Sequence, residues 1–329
     1  MISSTADLAG QSVLVTGAGG YIGSALVKAI AAAAPSRLVL LDSCEQNLFE
    51  IARHFETARC VPGEAVLGSV TGAALLDDLF DRFRPRFVYH AAAFKHVPLL
   101  EQNPFAAIHN NAIGTYTLVQ AVLRHGPARL TLVSTDKAVN PHSIMGASKR
   151  IAELVVVSLA SAGRPMNAVR LGNVFGSTGS VVPIFRRQIA DGQPVTVTGR
   201  EATRYFMSLD DAVAAILDCG AADCAGRILL PDLGEPMRIE ALARSLIGDR
   251  QLPIQFTGLR PGDKLAEDLL LDCEVKVGTS GPLSIVRTPT LTGGEIEALI
   301  ERLRAARTLD TLLAAVSAAV PEYAPRVCG

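Results

Sequence analysis

No charge of either sign dominates this sequence. Lys and Arg number 31 against 32 Asp and Glu, a net charge of −1, so no global basic field draws in nucleic acid. Also missing is an uncharged apolar run of about 18 residues, the length that marks a membrane span. The richest run, Leu154–Ala162, falls on a helix pattern and is too short. The first residues, Met1 to Leu8, have neither a basic n-region nor an apolar h-region, so they do not read as a signal peptide. The six cysteines (Cys44, Cys60, Cys219, Cys224, Cys273 and Cys328) are scattered. Cys219 and Cys224, the one close pair, have no second pair or nearby His to complete a zinc site. The expectation is reduced thiols, no metal and a cytoplasmic protein. No internal repeat or low-complexity linker is visible. What is present is apolar: 49% hydrophobic residues and a mean hydropathy of +0.30 exclude a disordered chain. The length fits two domains or one large α/β unit with a cap.

The first half alternates short β-branched runs with helical patterns. Strands are expected at Ser12–Thr16, Arg37–Leu41, Ala65–Leu67, Arg86–His90, Arg129–Val133 and Asn167–Leu171. Helices are expected at Ala25–Ala34, Gln46–Phe55, Ala73–Phe83, Asn111–Arg124 and Ala147–Ala162. Near-continuous apolar strands alternating with helices predict a parallel sheet covered on both faces. From about Gly172 the texture changes to loop-forming segments, GNVFGSTGSVVP, TGREATRYF and TGLRPGDK. The expected organisation is an α/β fold: a Rossmann doubly wound parallel sheet in residues 1–175, with a smaller substrate-binding region in 176–329. Helix Leu209–Cys219 and strand Arg227–Leu230 are expected to return to the first unit, at about 205–232.

Thr16-Gly-Ala-Gly-Gly-Tyr-Ile-Gly23 follows a strand and opens a helix. Gly17, Gly20 and Gly23 permit a tight turn and let the backbone approach a pyrophosphate at the helix N-terminus. Asp42 ends the next strand, where a carboxylate accepts hydrogen bonds from an adenosine ribose. An acidic group there repels a 2′-phosphate, so NAD is favoured and NADP is the alternative. Strand five runs into Ser134-Thr-Asp-Lys137, and Met145-Gly-Ala-Ser-Lys149 opens the next helix. Met145 and Lys149, four apart, share a helix face directed at the carboxyl edge of the sheet. Asp136 and Lys137 stand side by side at a strand end, residue types that can supply an acid and a base. Burial and Lys149 lower the Lys137 pKa while Asp136 raises it. Arg186, Arg187, Arg204 and Arg260, with Lys264, sit in the glycine-rich second region, where guanidinium forks suit a diphosphate.

These segments, with HAAAFKHVPLLE (90–101), MGASKRIAE (145–153), VRLGNVFGSTGSVVPIFRRQI (169–189), TRYFMS (203–208), LGEP (233–236) and VPEYAP (320–325), run in order over essentially the whole chain. Together they resemble the nucleotide-sugar 4,6-dehydratases of the extended short-chain dehydrogenase/reductase family, in the CapD-like polysaccharide-biosynthesis branch acting on UDP-N-acetylglucosamine. Many members carry a membrane domain ahead of this module, and the sequence reads as a form without that anchor. The resemblance implies a redox-neutral cycle in which NAD takes a hydride from carbon 4, water leaves across carbons 5 and 6, and the hydride returns to carbon 6.

It also implies roles. Asp136 is the acid at the 6-hydroxyl, Lys137 the base at carbon 5, Thr135 a partner of the 4-hydroxyl, and Lys149 the holder of the nicotinamide ribose. Met145 stands where most relatives have a catalytic Tyr, so Asp136, or a relay through Thr135, must take the 4-hydroxyl proton. The implied cofactor-binding set is Gly17, Gly19, Gly20, Tyr21, Ile22, Gly23, Asp42, Ser69, Val70, Ala91, Ala92 and Lys149. Ser69 replaces an acidic residue expected near the adenine. The implied substrate contacts are Lys95, His96, Asn173, Arg204, Arg260 and Lys264, around a UDP-sugar. A homo-oligomer, dimer or hexamer, built on sheet-flanking helices is expected. The alternatives are an NAD-dependent nucleotide-sugar epimerase and a non-catalytic NAD(P)-binding regulator.

Overall fold

The computed structural model describes residues 6–58, 63–126 and 128–325; Cys60 and Cys328 lie outside them. One mostly parallel sheet organises the chain. Its strands are β1 (Ser12–Thr16), β2 (Arg37–Asp42), β3 (Gly63–Leu67), β4 (Phe87–His90), β5 (Arg129–Thr135), β6 (Met166–Leu171), β7 (Arg227–Pro231), β8 (Val275–Ser280) and β9 (Leu283–Arg287). The nine strands lie in the order β8-β9-β7-β6-β5-β4-β1-β2-β3. From β3 to β7 all pairings are parallel, while β9 runs antiparallel to β7 and β8 antiparallel to β9. The chain reverses direction across the sheet between β1 and β4, and ligands of such folds bind at the carboxyl ends of the strands on that line.

The principal helices are α1 (Tyr21–Ala32), α2 (Glu45–Ala58), α3 (Ala73–Phe83), α4 (Gly114–His125), α5 (Ile144–Leu159), α6 (Val181–Ala190), α7 (Leu209–Ala221), α8 (Ile239–Ile247), α9 (Gly293–Ala305) and α10 (Leu309–Ala319). One face of the sheet packs on α3, α4, α5, α9 and α10 through residues such as Leu79, Leu118, Ile151, Val155, Leu299 and Val316. The other packs on α1, α2 and α7 through Leu26, Ile30, Ile51, Ala212 and Ile216. A third core, with Phe185, Val195, Val197, Ile239 and Ile247, lies under α6 and α8.

Three differences from the sequence reading have local causes. Helix α5 begins at Ile144, not Ala147, because Ser143 Oγ accepts from Gly146 N (3.0 Å) and the Glu101 carboxylate accepts from Ile144 N (2.7 Å). The helix expected from Asn111 starts inside a π-helical segment, Ile108–Ile113, that runs into α4. Finally, besides the expected return at about 205–232, which packs α7 on the sheet and adds β7 to it, the chain comes back a second time: β8 and β9 extend the main sheet, and α9 and α10 join its core. Those two helices pack on α5, whose residues from Ile144 to Val157 are all buried. Among the described residues Cys44, Cys219, Cys224 and Cys273 are free thiols, and no helix is long and apolar enough to cross a membrane.

Candidate active site

The glycine turn closes β1 onto α1. Gly17 has φ +69°, and a Cβ there would lie 2.6 Å from Ala92 N, so the backbones of the β1 and β4 ends meet only because the side chain is absent. Beside this turn is a cavity of about 220 Å³ lined by Gly17, Gly20, Asp42, Ser69, Val70, Ala91 and Ala92, together with Asn47, Phe94 and Asn110. Asp42 is fixed at its rim: Oδ2 accepts from Gly19 N and Oδ1 from Cys44 N, each at 2.9 Å. Ser69 Oγ is held by Thr71 Oγ1 at 2.9 Å. Ile22 packs on the α1 side of the core and Gly23 is buried in the turn. Tyr21 faces elsewhere, its hydroxyl donating to Phe175 O at 2.8 Å and so tying the loop after β6 to the start of α1. The open backbone turn and the anchored carboxylate fit a dinucleotide.

At the end of β5, Thr135 starts a short turn, Asp136–Ala138, and its Oγ1 accepts from Lys137 N. The three side chains meet. Thr135 Oγ1 donates to Asp136 Oδ1 at 2.9 Å, and Lys137 Nζ donates to the same oxygen at 3.0 Å and to Asn173 Oδ1 at 3.1 Å. Asp136 is fully buried, and among the described residues its Oδ2 has no hydrogen-bond partner. Burial alone would lower the Lys137 pKa. The carboxylates of Asp136 and Glu267 outweigh burial and the opposing Arg204, and the Lys137 pKa is raised. Lys137 is therefore an ammonium in this structure. The cation that works against it is Arg204, where the sequence reading looked to Lys149.

Lys149 lies on α5 one turn beyond the buried Met145. Its Nζ donates to Val133 O at 2.8 Å, and burial, opposed by Glu153, pushes its pKa down to about 8.

Behind the site His90 joins three elements. Thr115 Oγ1 donates to Asn111 O at 2.6 Å, so toward His90 Nε2, at 2.9 Å, it accepts. The ring thus carries its proton on Nε2, and Nδ1 accepts from Thr16 Oγ1 at 2.7 Å. Burial, helped by the Lys149 charge, pushes the His90 pKa from 6.5 down to about 3. A depressed histidine pKa means the unfolded chain binds a proton that the fold refuses, so stability falls as pH drops from 6.5 toward 3. A His90→Gln protein is expected to lose melting temperature less steeply than wild type across that window. Equal slopes would contradict the assignment.

On the substrate side, Asn173 Nδ2 donates to Tyr205 O at 3.1 Å while its Oδ1 holds Lys137. Arg204 gives its guanidinium to Thr203 O, Leu265 O and Lys264 O, and Lys264 Nζ donates to Val139 O at 2.6 Å. These two cations, expected to face a diphosphate, hold the 264–267 segment against the turn after β5. Arg260 is half exposed, with its Nε 3.0 Å from Asp263 Oδ2. Arg186 and Arg187 are both exposed on α6. Lys95 and His96 are exposed on the loop after β4, and a Cβ at Gly179 would lie 2.5 Å from the His96 ring. Gly262, at φ +78°, seats its loop on the start of α5: a Cβ there would lie 2.8 Å from Ser143 Cβ and 2.9 Å from Val97 Cγ1.

Sequence reasoning missed three residues. Asn111, fully buried, fixes the Lys95 loop to α5 by bonding Phe94 N, Phe94 O and Ser148 Oγ. Glu153 sits at the centre of a buried ion cluster under the site. It accepts from Ser134 Oγ at 2.7 Å and from Arg170 and Arg150, and both arginines also bond Glu274. Glu267, 3.7 Å from Lys137 Nζ, is the third. Its only trace in the sequence is an acid placed three residues after Lys264 in a basic loop motif.

A family model described as "Polysaccharide biosynthesis protein" matches residues 13–287. The chain is 42% identical over 274 residues to the probable polysaccharide biosynthesis protein EpsC of Bacillus subtilis (strain 168), covering 81% of this chain and 46% of that protein. It is 32% identical over 268 residues to a UDP-N-acetylglucosamine 4,6-dehydratase (inverting) of Campylobacter jejuni, covering 79% of this chain and 77% of that protein. The structure of DesIV, a dTDP-glucose 4,6-dehydratase from Streptomyces venezuelae with NAD and TYD bound, has the same fold. Its TM-score is 0.67 at 22% identity, over 94% of this chain and 97% of that one. The chain spans about half the length of curated relatives such as EpsC.

Proposed function

The chain belongs to the polysaccharide biosynthesis protein family, and on that premise we propose that it removes water from a UDP-sugar, UDP-N-acetylglucosamine, to give a 4-keto-6-deoxy sugar. The observation that carries the reading is the joined pair Asp136 and Lys137: a buried carboxylate with one oxygen bound by Thr135 and Lys137 and the other without a hydrogen-bond partner among the described residues. Loss of water across adjacent carbons needs one group to take the carbon-5 proton and another to protonate the leaving hydroxyl. Carbon-4 epimerisation needs no acid at the 6-hydroxyl. The likeness to the Campylobacter dehydratase supports the same substrate.

The residues lining the cavity beside Gly17 would hold the dinucleotide, with the anchored Asp42 carboxylate positioned to accept from the adenosine ribose. A carboxylate there disfavours a 2′-phosphate, and DesIV, of the same fold, holds NAD. NAD bound there would supply the hydride acceptor at carbon 4 and the hydride donor at carbon 6. Met145 has no ionisable group, so the 4-hydroxyl proton passes through Thr135, whose Oγ1 already donates to Asp136. Asp136, then neutral, protonates the leaving 6-hydroxyl. Lys137, once it is the free amine, takes the carbon-5 proton and gives it back to carbon 5 after elimination. Asn173 orients the Lys137 ammonium, and Arg260 meets the diphosphate.

Incubation with NAD and UDP-N-acetylglucosamine, followed by mass spectrometry, tests this. A product lighter by one water is expected. An isomer of unchanged mass makes the protein an epimerase, and NAD binding without turnover makes it a non-catalytic binder.

A further inference from the structure

The acid–base scheme leaves one proton without a destination. In the structure Lys137 is an ammonium, paired with Asp136 at 3.0 Å. Asp136 is needed as a carboxylate to receive the 4-hydroxyl proton, so it cannot also relieve Lys137. Lys137 takes a carbon-5 proton only after losing its own.

A buried acid stands on its other side. The Glu267 side chain is 2% exposed, and its Oε1 lies 3.7 Å from Lys137 Nζ and 3.3 Å from Arg204 Nε. Among the described residues its Oε2 makes no hydrogen bond, although Lys264 Nζ stands 3.8 Å away. An unpaired oxygen of a buried carboxylate is costly to maintain. Lys137, Glu267, Arg204, Lys264, His142 and Asp263 surround a cavity of about 30 Å³. That volume holds one water, and its polar lining supplies partners for it. The segment bearing Glu267 is locked in place: Arg204 bonds Lys264 O and Leu265 O, and Lys264 bonds Val139 O.

We propose that Glu267 is a positioning residue that takes the proton of Lys137, across the small cavity, before the carbon-5 step and returns it after turnover. One N–H bond of Lys137 breaks and one O–H bond forms on Glu267, converting an ammonium–carboxylate pair into an amine and a carboxylic acid with no change of oxidation state. Asp136 remains free for the 4-hydroxyl proton, which leaves in the water. The carbon-5 proton shuttles on and off Lys137, and Glu267 then reprotonates the amine. With an internal acceptor, the base is made ready without releasing a proton to solvent, so the rate is flat with pH around neutrality. The charged groups facing Lys137 are Asp136, Glu267 and Arg204, with Lys264, His142 and Asp263 around the cavity.

The inference rests on the dehydratase reading. The test is the pH profile of kcat with NAD and UDP-N-acetylglucosamine for wild type, Glu267→Gln and Glu267→Asp, with melting temperature and UDP binding as folding controls. Glu267→Gln is expected to lose on the order of 10²-fold in kcat at pH 7 with little change in KM, and to recover as pH rises. Glu267→Asp, which keeps the acid, should be slower but flat. Removing only the electrostatic effect of Glu267 would instead ease deprotonation of Lys137 and shift the rise to lower pH without loss, and that overturns the relay. So does a Gln profile parallel to wild type, or an Asp profile that follows Gln. If Gln fails to fold, the Asp profile decides alone. A wild-type protein that forms no dehydrated product overturns the dehydratase reading together with the relay.

Discussion

Asp136→Asn is expected to lower turnover by about 10²–10⁴-fold while leaving NAD binding and the fold intact. The side chain is fully buried, and its two oxygens have different surroundings. Oδ1 accepts from Thr135 and Lys137, whereas Oδ2 has no hydrogen-bond partner among the described residues. An amide keeps the Oδ1 contacts and the shape but neither takes the 4-hydroxyl proton nor delivers one to the 6-hydroxyl. Met145, a turn before Lys149 on α5, cannot substitute, because a thioether has no proton to exchange. The loss should therefore appear in kcat, with the affinity for the UDP-sugar held by the second region. Steady-state kinetics with a melting curve checks it. An Asn variant that forms the 4-keto product at wild-type rate would remove Asp136 from the chemistry.

The second large effect is on stability. Arg170 lies on β6 and is almost fully buried. It bonds Glu153 through Nε (2.9 Å) and Nη2 (2.8 Å), and Glu274 through Nη1 (2.6 Å) and Nη2 (2.8 Å). Arg170→Met removes one cation from between two buried carboxylates, leaving Arg150 to serve both. Breaking a buried pair from one side costs about 3–5 kcal/mol, because an uncompensated charge stays behind. Thermal or denaturant unfolding reads the loss, and a change below about 1 kcal/mol would make the cluster dispensable. Burial would raise the Glu153 pKa, but Arg170 and Arg150 outweigh it and hold the carboxyl below its ordinary value. That contribution is present above the ordinary glutamate range and is lost on acidification. The cluster also bears on the site, because Ser134, bonded to Glu153, immediately precedes Thr135 and Asp136.

Legibility in the sequence followed the range of the interaction. Strands β1, β2, β4, β5 and β6 are near-continuous apolar runs and were located to within about two residues, because burial on both faces leaves its mark in each residue. The glycine turn was legible for a similar local reason: Gly17 needs both its φ and its missing side chain. Thr135, Asp136 and Lys137 are neighbours in the chain, and the turn brings them together as their adjacency suggests.

What was not legible depends on distant partners. The start of α5 at Ile144 is fixed by Glu101, 43 residues away in the chain. Strands β8 and β9 and helices α9 and α10 return to the main sheet through packing that no local pattern announces. For Arg204 and Lys264 the sequence shows the charge but not the backbone carbonyls that each of them bonds. Glu267 was invisible for the same reason, although it stands beside Lys137.

The central claim is that one hydride moves within one sugar, from carbon 4 to carbon 6, while water leaves between them. The direct measurement uses UDP-N-acetylglucosamine carrying deuterium at carbon 4, with product analysis by mass spectrometry and proton NMR. The account predicts a product lighter by water, with the deuterium now in the carbon-6 methyl group. Deuterium still on carbon 4 of an isomeric sugar, or lost to the medium, would contradict it.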